Sequence, residues 1–452
     1  MARPPSSLAT QLGEPGWLAS LLFAAVATAL VCYPAWPGFM SYDSLFAYQQ
    51  ARYGVQTMLW PPLHTYMFQV SERLGASTWG VFVFQTATLF ASAAVVLHLF
   101  VRNRAVAFLL CVAFAAVIAL SPAVLGPMLA HWRDVPTASF ALLGLALWLL
   151  AARYGQPLLL APAILAFGCA VALRYNAFVL VACLLALMVW SPLLGRPTRF
   201  ARPFVVVCVV GALGLAWAST QWRLPDLLRM PAPASLGGTQ QFDLIGISAC
   251  ADRNYLPPGI APPGTSAYHL RKAYDPRHLH MTLAKRPGVP ALLEGEAGGQ
   301  VQRAWLPVIL KEPVCYLSHR TAVFVEQMGM AKDGVFYPTH AGIDANSFGL
   351  TLAHPELSAQ VVHRILESQP SLWTRPFWLY VLALVLGGMA ALRERAYAPL
   401  LLAMLAGVFA YPALLFVASP AADARYIFPS NVLGALVALA SLGLLIARPG
   451  RR

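Results

Sequence analysis

Four short segments that lie between apolar stretches carry acidic, basic or imidazole side chains. An Asp in such a segment is a candidate general base, because a carboxylate can take the proton of an attacking hydroxyl group. An Arg or a His is a candidate ligand for an anion such as a phosphate. The residues that could do this chemistry, or hold a substrate beside it, are Tyr42, Asp43, His64, His131, Arg133, Asp134, Arg174, Asn176, Arg425 and Tyr426.

Together these residues indicate a group transfer at a membrane surface. In this interpretation Asp43 deprotonates an acceptor hydroxyl as that hydroxyl attacks the anomeric carbon of a sugar. The leaving group is a lipid phosphate, whose negative charge is neutralised by Arg133, Arg174 and Arg425. The apolar stretches then provide a groove for the lipid tail.

Each of these residues also has a purely structural interpretation. Asp43 or Asp134 would stabilise a helix as its N-cap residue. Arg174 would extend its guanidinium group to the membrane interface, and Arg425 would form a local ion pair with Asp423. The sequence pattern leaves these alternatives open.

Other kinds of site have weaker support. Three histidines lie close together in the sequence, at His269, His278 and His280, but no Cys or paired acids accompany them, so we predict no metal site. The sequence motifs of zinc proteases, P-loop nucleotide hydrolases and serine esterases are absent. These classes of enzyme are therefore disfavoured.

The composition requires a membrane protein. Of the 452 residues, 59% are hydrophobic and 11% are charged, with a formal net charge of +13. Soluble proteins are about 45–50% apolar and about 25% charged, so this chain has too little polar surface to stay in solution. Its hydrophobicity also excludes intrinsic disorder. The basic residues are spread thinly rather than gathered in a patch, so we expect no nucleic-acid partner.

Apolar stretches long enough to cross a membrane as helices define the architecture. We predict an all-α polytopic membrane protein with about ten transmembrane helices and a mixed outer (periplasmic) domain. The predicted spans are 17–35, 78–101, 105–121, 135–152, 158–173, 177–190, 204–219, 375–391, 398–418 and 430–447. They divide the chain into a transmembrane module (1–219) with outer loops 36–77 and 122–134, an outer domain (220–374) and a second transmembrane module (375–452).

The distribution of basic residues predicts the orientation. Cytoplasmic loops carry an excess of Lys and Arg, and placing the N-terminus in the cytoplasm puts most of the basic surplus in the inner loops. An even number of spans then returns the C-terminus to the same side. We therefore expect a multi-pass protein of the bacterial inner membrane, with both termini cytoplasmic and the candidate residues periplasmic.

The long segment 220–374 is less hydrophobic than the rest of the chain. Its first half is rich in Pro and Gly, which predicts irregular loops. Its second half shows helical spacing around Trp305 and Tyr316, with Pro313 as a helix start or a kink. Cys250 and Cys315 both lie here, where an oxidising compartment would permit a disulfide, although their spacing leaves the pairing open.

The layout resembles the GT-C superfamily of integral membrane glycosyltransferases, which includes the protein O-mannosyltransferases and the lipid A aminoarabinose transferases. The first outer loop has an early acid, in Tyr42-Asp43-Ser44, followed by a Trp-Pro-Pro-x-His element from Trp60 to His64. The second has His131-Trp132-Arg133-Asp134, and Arg174-Tyr175-Asn176 and Asp423-x-Arg425-Tyr426 fit the same pattern. Many members have Asp-Glu where this chain has Asp43-Ser44.

The resemblance implies an activity and roles for residues. It implies transfer of a sugar, with inversion, from a polyprenyl-phosphate donor to a glycan, lipid or protein acceptor. Asp43 corresponds to the catalytic base, and Asp134 to a second-loop residue that orients donor or acceptor. The resemblance requires no cofactor, although some members bind a divalent cation near these acids. Membrane lipids are the other expected partners.

Two other classes of function fit parts of the sequence. A transporter or flippase of a lipid-linked precursor would also need many spans, but such proteins place polar sites near the bilayer midplane. The predicted spans here are nearly free of charge at that depth. A membrane acyltransferase that uses His64 or His131 is the third alternative.

Overall fold

The computed structural model describes residues 15–54, 61–101, 103–188, 237–261, 263–284 and 295–446 of the chain. Within these ranges the regular structure is helical, and β-structure is limited to isolated bridges. The predicted span 204–219 and Trp60 of the Trp-Pro-Pro element lie outside the described residues.

We number the helices in chain order. The first nine are α1 (Pro15–Cys32), α2 (Tyr42–Tyr53), α3 (Leu63–Arg73), α4 (Ser77–Phe100), α5 (Arg104–Leu120), α6 (Pro122–Met128), α7 (Asp134–Tyr154), α8 (Leu160–Leu173) and α9 (Ala177–Met188). The others are α10 (Gly237–Ala251), α11 (Ala267–Ala273), α12 (Leu279–Ala284), α13 (Gly295–Lys311), α14 (Pro313–Gln327), α15 (Pro355–Ser368), α16 (Phe377–Arg393), α17 (Ala398–Ala418) and α18 (Phe428–Ile446). Short 3₁₀ turns precede α8, α16 and α18.

Several of these helices can cross a membrane. Among the described residues, four helical stretches are long and apolar enough: α4, α7, α17, and α18 together with its preceding turn. The bent pair of α5 and α6 passes the same test as one unit, and α1, α8 and α16 are shorter apolar helices. The structure thus confirms an all-helical polytopic architecture, whereas the number of ten spans stays a prediction.

Helix α18 lies at the centre of the helical bundle. It packs against α4, α5, α6, α7, α16 and α17. Its small residues permit close helix contacts, as is common in membrane bundles, and a Cβ atom at Gly443 would meet Val101 Cγ2 at 2.3 Å. Two buried polar groups on α18 fix its register, since Tyr380 Oη donates to Asn431 Oδ1 at 2.9 Å and Ser430 Oγ donates to the Val408 carbonyl at 2.5 Å.

A sharp bend separates α5 from α6. A proline disfavours the helical conformation in the residue before it, and Ser121, which precedes Pro122, is extended. The two helices therefore meet at 88°. Because α6 turns back into the bundle and packs against α18 and α15, it delivers the following segment, His131 to Asp134, to the end of the transmembrane helices.

The first half of the long segment contains a buried helix. Phe242, Ile245 and Ile247 of α10 are fully buried, and α11, α13 and α14 surround this helix. The prediction of irregular loops here is wrong for α10, because the Pro and Gly residues flank an apolar run that tertiary packing makes helical. The described part of this segment is helical rather than mixed.

The second half of the segment agrees with its prediction. Helix α14 begins at Pro313, a position where proline loses no helical hydrogen bond because its missing N–H would be unpaired there. Trp305 lies on α13, and Tyr316 lies on α14. Cys250 and Cys315 form a disulfide with a Cα–Cα distance of 5.5 Å, which joins α10 to α14.

A buried ion pair anchors this segment to the transmembrane bundle. Arg320 of α14 and Asp243 of α10 are both fully buried and lie 2.7 Å apart. Asp243 Oδ2 also accepts a hydrogen bond from Trp305 Nε1 at 2.7 Å, and His319 Nε2 lies 3.2 Å from Oδ1. Arg320 donates to the carbonyl of Ser419, directly after α17, at 2.7 Å.

We expect Arg320→Met to loosen this segment strongly, because it leaves the Asp243 carboxylate buried without its counter-charge. Removing one partner of a buried pair costs about 3–5 kcal/mol. Hydrogen exchange of the α10 and α14 amides in detergent micelles measures the loss as a lower free energy of opening. The matched control is Arg271→Met, since Arg271 and Asp252 form an exposed pair at 3.4 Å. Equal exchange in the two variants would contradict this prediction.

Candidate active site

The candidate residues lie at one end of the helical bundle, where α4, α7 and α9 begin and α5, α8 and α17 end. We call this end the site end. The first loop reaches it through backbone pairing with the second loop: Phe39 N donates to the Leu129 carbonyl at 2.8 Å, and His131 N donates to the Phe39 carbonyl at 2.9 Å. Helix α2 begins directly after this pairing and carries Asp43 in its first turn.

Side chains of the second loop reinforce the pairing. Trp132 Nε1 donates to Ser41 Oγ at 3.0 Å, and Ser44 Oγ donates to the His131 carbonyl at 2.8 Å. The His131 ring is fully buried, and its Nε2 lies 3.0 Å from the Pro37 carbonyl. Burial lowers the pKa of His131 to about 4. This imidazole is therefore neutral at physiological pH, and its contacts hold the two loops together.

Gly38 is required for this close approach. Its φ is +109°, in the region that favours glycine. A Cβ atom at this position would lie 2.3 Å from His131 Nε2. A larger residue would therefore push the first loop away from the second.

Asp43 forms an ion pair with Arg425, which lies almost four hundred positions later in the chain. Asp43 Oδ2 is 2.8 Å from Arg425 Nη1, and Arg425 Nε is 3.3 Å from Asp423 Oδ2. The guanidinium group also lies over the Trp132 ring, 5.0 Å from its centroid. This cation is thus held by two carboxylates and an aromatic face.

The charges around Asp43 keep it ionised. Burial would raise the pKa of the Asp43 carboxyl, but the positive charges of Arg425 and Arg133 outweigh that effect and hold the pKa below its ordinary value. The pKa of Asp423 is raised instead, because burial prevails over the attraction of Arg425. The stabilising pair of Asp43 and Arg425 is consequently complete above the ordinary aspartate range and is lost only as the pH falls through the lower pKa.

A second ion pair lies beside the first. Arg174, directly after α8, forms a short contact with the buried carboxylate of Asp134 at the start of α7. Arg174 Nε donates weakly to Asn176 Oδ1 at 3.4 Å. The Tyr426 ring joins the two pairs, because its centroid is 4.7 Å from the guanidinium carbon of Arg174 and 5.3 Å from that of Arg425.

The contacts of Asp43, Asp134 and Arg174 differ from those that the purely structural interpretations predict. Helices α2 and α7 have Ser41 and Arg133 as N-cap residues, and neither Asp43 nor Asp134 caps a helix. Arg174 is mostly buried in its pair rather than extended towards the interface. The local pair of Asp423 and Arg425 does form, but Arg425 also binds Asp43 across the loops.

The remaining predicted residues surround these pairs at different depths. Burial and the neighbouring charge of Arg174 lower the pKa of Arg133 to about 10, so its guanidinium group stays charged. Tyr42 is 69% exposed on α2. His64 is buried against the Phe68 ring, 4.9 Å between centroids, and its pKa lies well below the ordinary value because of burial and Arg133.

A third contributor to the site, which no sequence motif marks, is the segment 336–344; we call it the bridging segment. One end pairs with the 3₁₀ turn before α18, since Ala424 N donates to the Phe336 carbonyl at 3.0 Å. The other end pairs with the first loop, since Met40 N donates to the Gly342 carbonyl at 2.9 Å. A Cβ atom at Gly126 would meet the Pro338 carbonyl oxygen at 2.1 Å, so α6 needs glycine there.

The bridging segment brings Tyr337 and His340 to the site. The Tyr337 ring centroid is 5.6 Å from that of Trp132, and the His340 centroid is 6.4 Å from it. Burial raises the pKa of Tyr337 to about 12. The sequence carried no motif for this segment.

The arrangement suits an anion rather than a metal ion. Its cations are Arg133, Arg174 and Arg425, and its carboxylates are Asp43, Asp134 and Asp423. Arg174 and Arg425 could each exchange a carboxylate for a phosphate oxygen with little change in hydrogen bonding. In the described part of the chain, no group of three or more His, Cys, Asp or Glu residues could hold a metal ion.

We expect the buried pair of Asp134 and Arg174 to be strongly coupled. A double-mutant cycle of Asp134→Asn and Arg174→Gln should give a coupling energy of about 2 kcal/mol or more, because either single change leaves a buried charge without its partner. Unfolding in detergent micelles provides the measurement. The same cycle at the exposed pair of Arg52 and Glu72 should give a smaller coupling that added salt removes. If the two coupling energies were similar and both fell with added salt, burial would not be what strengthens the pair of Asp134 and Arg174.

Comparison with known proteins gives one distant similarity. The chain is similar to the crystal structure of ArnT from Cupriavidus metallidurans bound to undecaprenyl phosphate. The TM-score is 0.32 at 12% sequence identity, and the matched region covers 95% of this chain and 78% of the other chain. No family model and no curated protein matches the sequence.

Proposed function

We propose that this protein is a membrane glycosyltransferase that transfers a sugar from a polyprenyl-phosphate donor to an acceptor on the outer face of the membrane, with inversion. The observation that supports this most is the pair of adjoining ion pairs around Tyr426, at the end of an apolar bundle. A lipid phosphate combines an anionic group with an apolar tail, and this end of the bundle offers cations beside apolar helices. In this proposal the site is periplasmic, and the protein lies in a bacterial inner membrane with both termini cytoplasmic.

Donor binding would free the Asp43 carboxylate from its ion pair with Arg425. The donor phosphate competes with Asp43 for Arg425 and with Asp134 for Arg174, because phosphate oxygens and carboxylates bind guanidinium groups in the same forked geometry. Once Arg425 turns to the phosphate, the charge that lowers the pKa of Asp43 is partly neutralised. Burial then raises that pKa towards the range in which a carboxylate is an effective general base.

The transfer needs one base and no protein nucleophile. The acceptor oxygen attacks the anomeric carbon as the bond from that carbon to the phosphate oxygen breaks. The acceptor proton passes to Asp43, and the bonding electrons leave with the polyprenyl phosphate, whose negative charge Arg174 and Arg425 stabilise. A single displacement of this kind inverts the configuration at the anomeric carbon.

The geometry favours this reaction over the other two classes. The buried charges lie at one end of the helices, whereas transporters place such groups near the middle of broken helices. For acyl transfer, His64 and His131 would have to reach a substrate, but both imidazole rings are buried.

We expect Asp43→Asn to abolish transfer, because an amide cannot accept the hydroxyl proton. The loss should be at least about 100-fold, the lower range for a general base. Transfer of radiolabelled sugar from polyprenyl-phosphate donors in membrane vesicles measures it, with membrane insertion checked by fractionation. Asp252→Asn, on the exposed surface, is the control. Turnover by Asp43→Asn at the wild-type rate would exclude Asp43 as the base.

We expect Arg174→Gln to weaken donor binding, because it removes a positive charge from the proposed phosphate site. Undecaprenyl phosphate, the lipid named in the ArnT structure, is a suitable probe. Native mass spectrometry of the detergent-solubilised protein should show at least about tenfold weaker binding, since hydrogen bonds between charged groups contribute about 1.5–3 kcal/mol. Arg393→Gln, at the opposite end of the bundle, should bind the lipid like the wild type. Equal loss in both variants would indicate nonspecific charge attraction.

A further inference from the structure

A cavity of about 340 Å³ lies between the turn after α11, the end of α14 and the start of the bridging segment. Ligand sites typically have volumes of about 300–1,000 Å³, so this one can hold a small polar group such as a sugar ring. Its polar lining residues are Tyr274, Asp275, Arg277, Glu326, Asp333 and Tyr337.

The cavity adjoins the candidate active site. Phe336 and Tyr337 form part of its wall, and the same two residues pair with or contact residues of the site. The Phe336 backbone bridges to Asp423, and the Tyr337 ring packs on Trp132, which in turn lies under Arg425. A ligand held in the cavity would therefore be next to the groups proposed to react.

The cavity wall carries a net negative charge. Arg277 forms a bidentate ion pair with Asp275, because its Nε and Nη2 donate to the two carboxylate oxygens at 2.9 and 2.8 Å. Within the described ranges, the side-chain carboxylates of Glu326 and Asp333 form no salt bridge or hydrogen bond, although the charge of Arg277 attracts both of them. Their carboxylates repel an anion and leave hydrogen-bond acceptors for hydroxyl or ammonium groups.

A chain of hydrogen-bonding groups holds the Tyr337 hydroxyl. Tyr337 Oη is 2.6 Å from His340 Nδ1, and His340 Nε2 is 3.2 Å from Asp344 Oδ1. Because Nε2 faces a carboxylate, it carries the imidazole proton, and Nδ1 accepts the hydrogen bond of the phenol. The Tyr337 oxygen is thereby left as an acceptor for a hydroxyl group of a ligand.

The backbone at Tyr337 is also unusual. Its φ is +50°, a conformation that is unfavourable for a bulky residue and that recurs at functional sites. Pairing of the bridging segment at both ends, with Ala424 and with Met40, holds this conformation in place.

From these observations we propose that the cavity is the acceptor subsite, that it takes a hydroxyl-bearing group without negative charge, and that Tyr337 positions this group by accepting a hydrogen bond. The inference rests on the proposed glycosyl transfer and names the chemical class of its acceptor. His340 and Asp344 act through Tyr337 as positioning residues. The attacking hydroxyl still passes its proton to Asp43.

Three hexoses that differ in charge test the selectivity of the cavity. Binding of D-glucosamine, D-glucose and D-glucose 6-phosphate to the detergent-solubilised full chain is compared by saturation-transfer NMR, at a pH where the amine is protonated and with undecaprenyl phosphate present to occupy the proposed arginine site. We expect the phosphate ester to bind at least about tenfold more weakly than the other two, because Glu326 and Asp333 repel it. The double variant Glu326→Gln, Asp333→Asn should reduce that difference to about threefold or less, whereas Glu356→Gln, on the surface of α15, should leave it unchanged.

The role of Tyr337 is tested with the same sugars. Tyr337→Phe should weaken D-glucose binding about three- to tenfold, the effect of one hydrogen bond, while Tyr268→Phe, on the exposed face of α11, should not. His340→Ala should resemble Tyr337→Phe, and His340→Gln, whose amide oxygen can still accept the phenolic hydrogen bond, should recover most of the binding.

Two results would overturn the proposal: equal or tighter binding of the phosphate ester, or sugar binding that is insensitive to Tyr337→Phe. Undecaprenyl phosphate binding is measured on the same preparations. If Arg174→Gln weakens binding of that lipid but the cavity variants leave sugar binding unchanged, the acceptor subsite is refuted and the proposed donor site is retained. If the lipid does not bind, the proposed function itself fails.

Discussion

Charged groups in a largely apolar protein have to neutralise one another, and this requirement organises the site end. Asp43 with Arg425 and Asp134 with Arg174 are pairs between segments that lie far apart in the sequence. Isolated charges at this depth would be costly. Each loop is therefore held in place by a partner on another loop, and the Tyr426 ring connects the two pairs.

The same requirement gives the site its capacity for chemistry. A guanidinium group paired with a carboxylate is already desolvated and oriented, so an incoming phosphate replaces one anion by another without a large rearrangement. The exchange also changes the environment of the carboxylate that is released. In the proposed reaction, binding of the donor and activation of Asp43 are therefore coupled, because both follow from the same exchange of ion-pair partners.

Much of this was accessible from the sequence, because the responsible signals are local. Long apolar runs predicted the helices, and charged residues next to those runs drew attention to Asp43, Asp134, Arg174 and Arg425. Pro313 marked the start of α14 because proline acts on its immediate neighbours. The sequence could not show which acid pairs with which base, since partners are chosen by the packing of segments far apart in the chain.

The errors and omissions have the same physical origin. Helix α10 lies among residues typical of loops, and its burial under three other helices overrides that local preference. The bridging segment has no periodicity, because it is held at its two ends by backbone hydrogen bonds to other segments. Tyr337 and His340 therefore carried no local signal, although they lie against Trp132.

The pairing of the bridging segment with both Met40 and Ala424 has a consequence for biosynthesis. Met40 leaves the ribosome early, the bridging segment follows some three hundred residues later, and Ala424 and Arg425 emerge close to the end of the described chain. The two halves of the site can therefore be joined only after the chain has been synthesised and inserted as far as Arg425. Until then Asp43 lacks its partner Arg425, so an incomplete chain in the membrane carries the proposed base together with Arg133 and Arg174 but without the third cation of the proposed phosphate site.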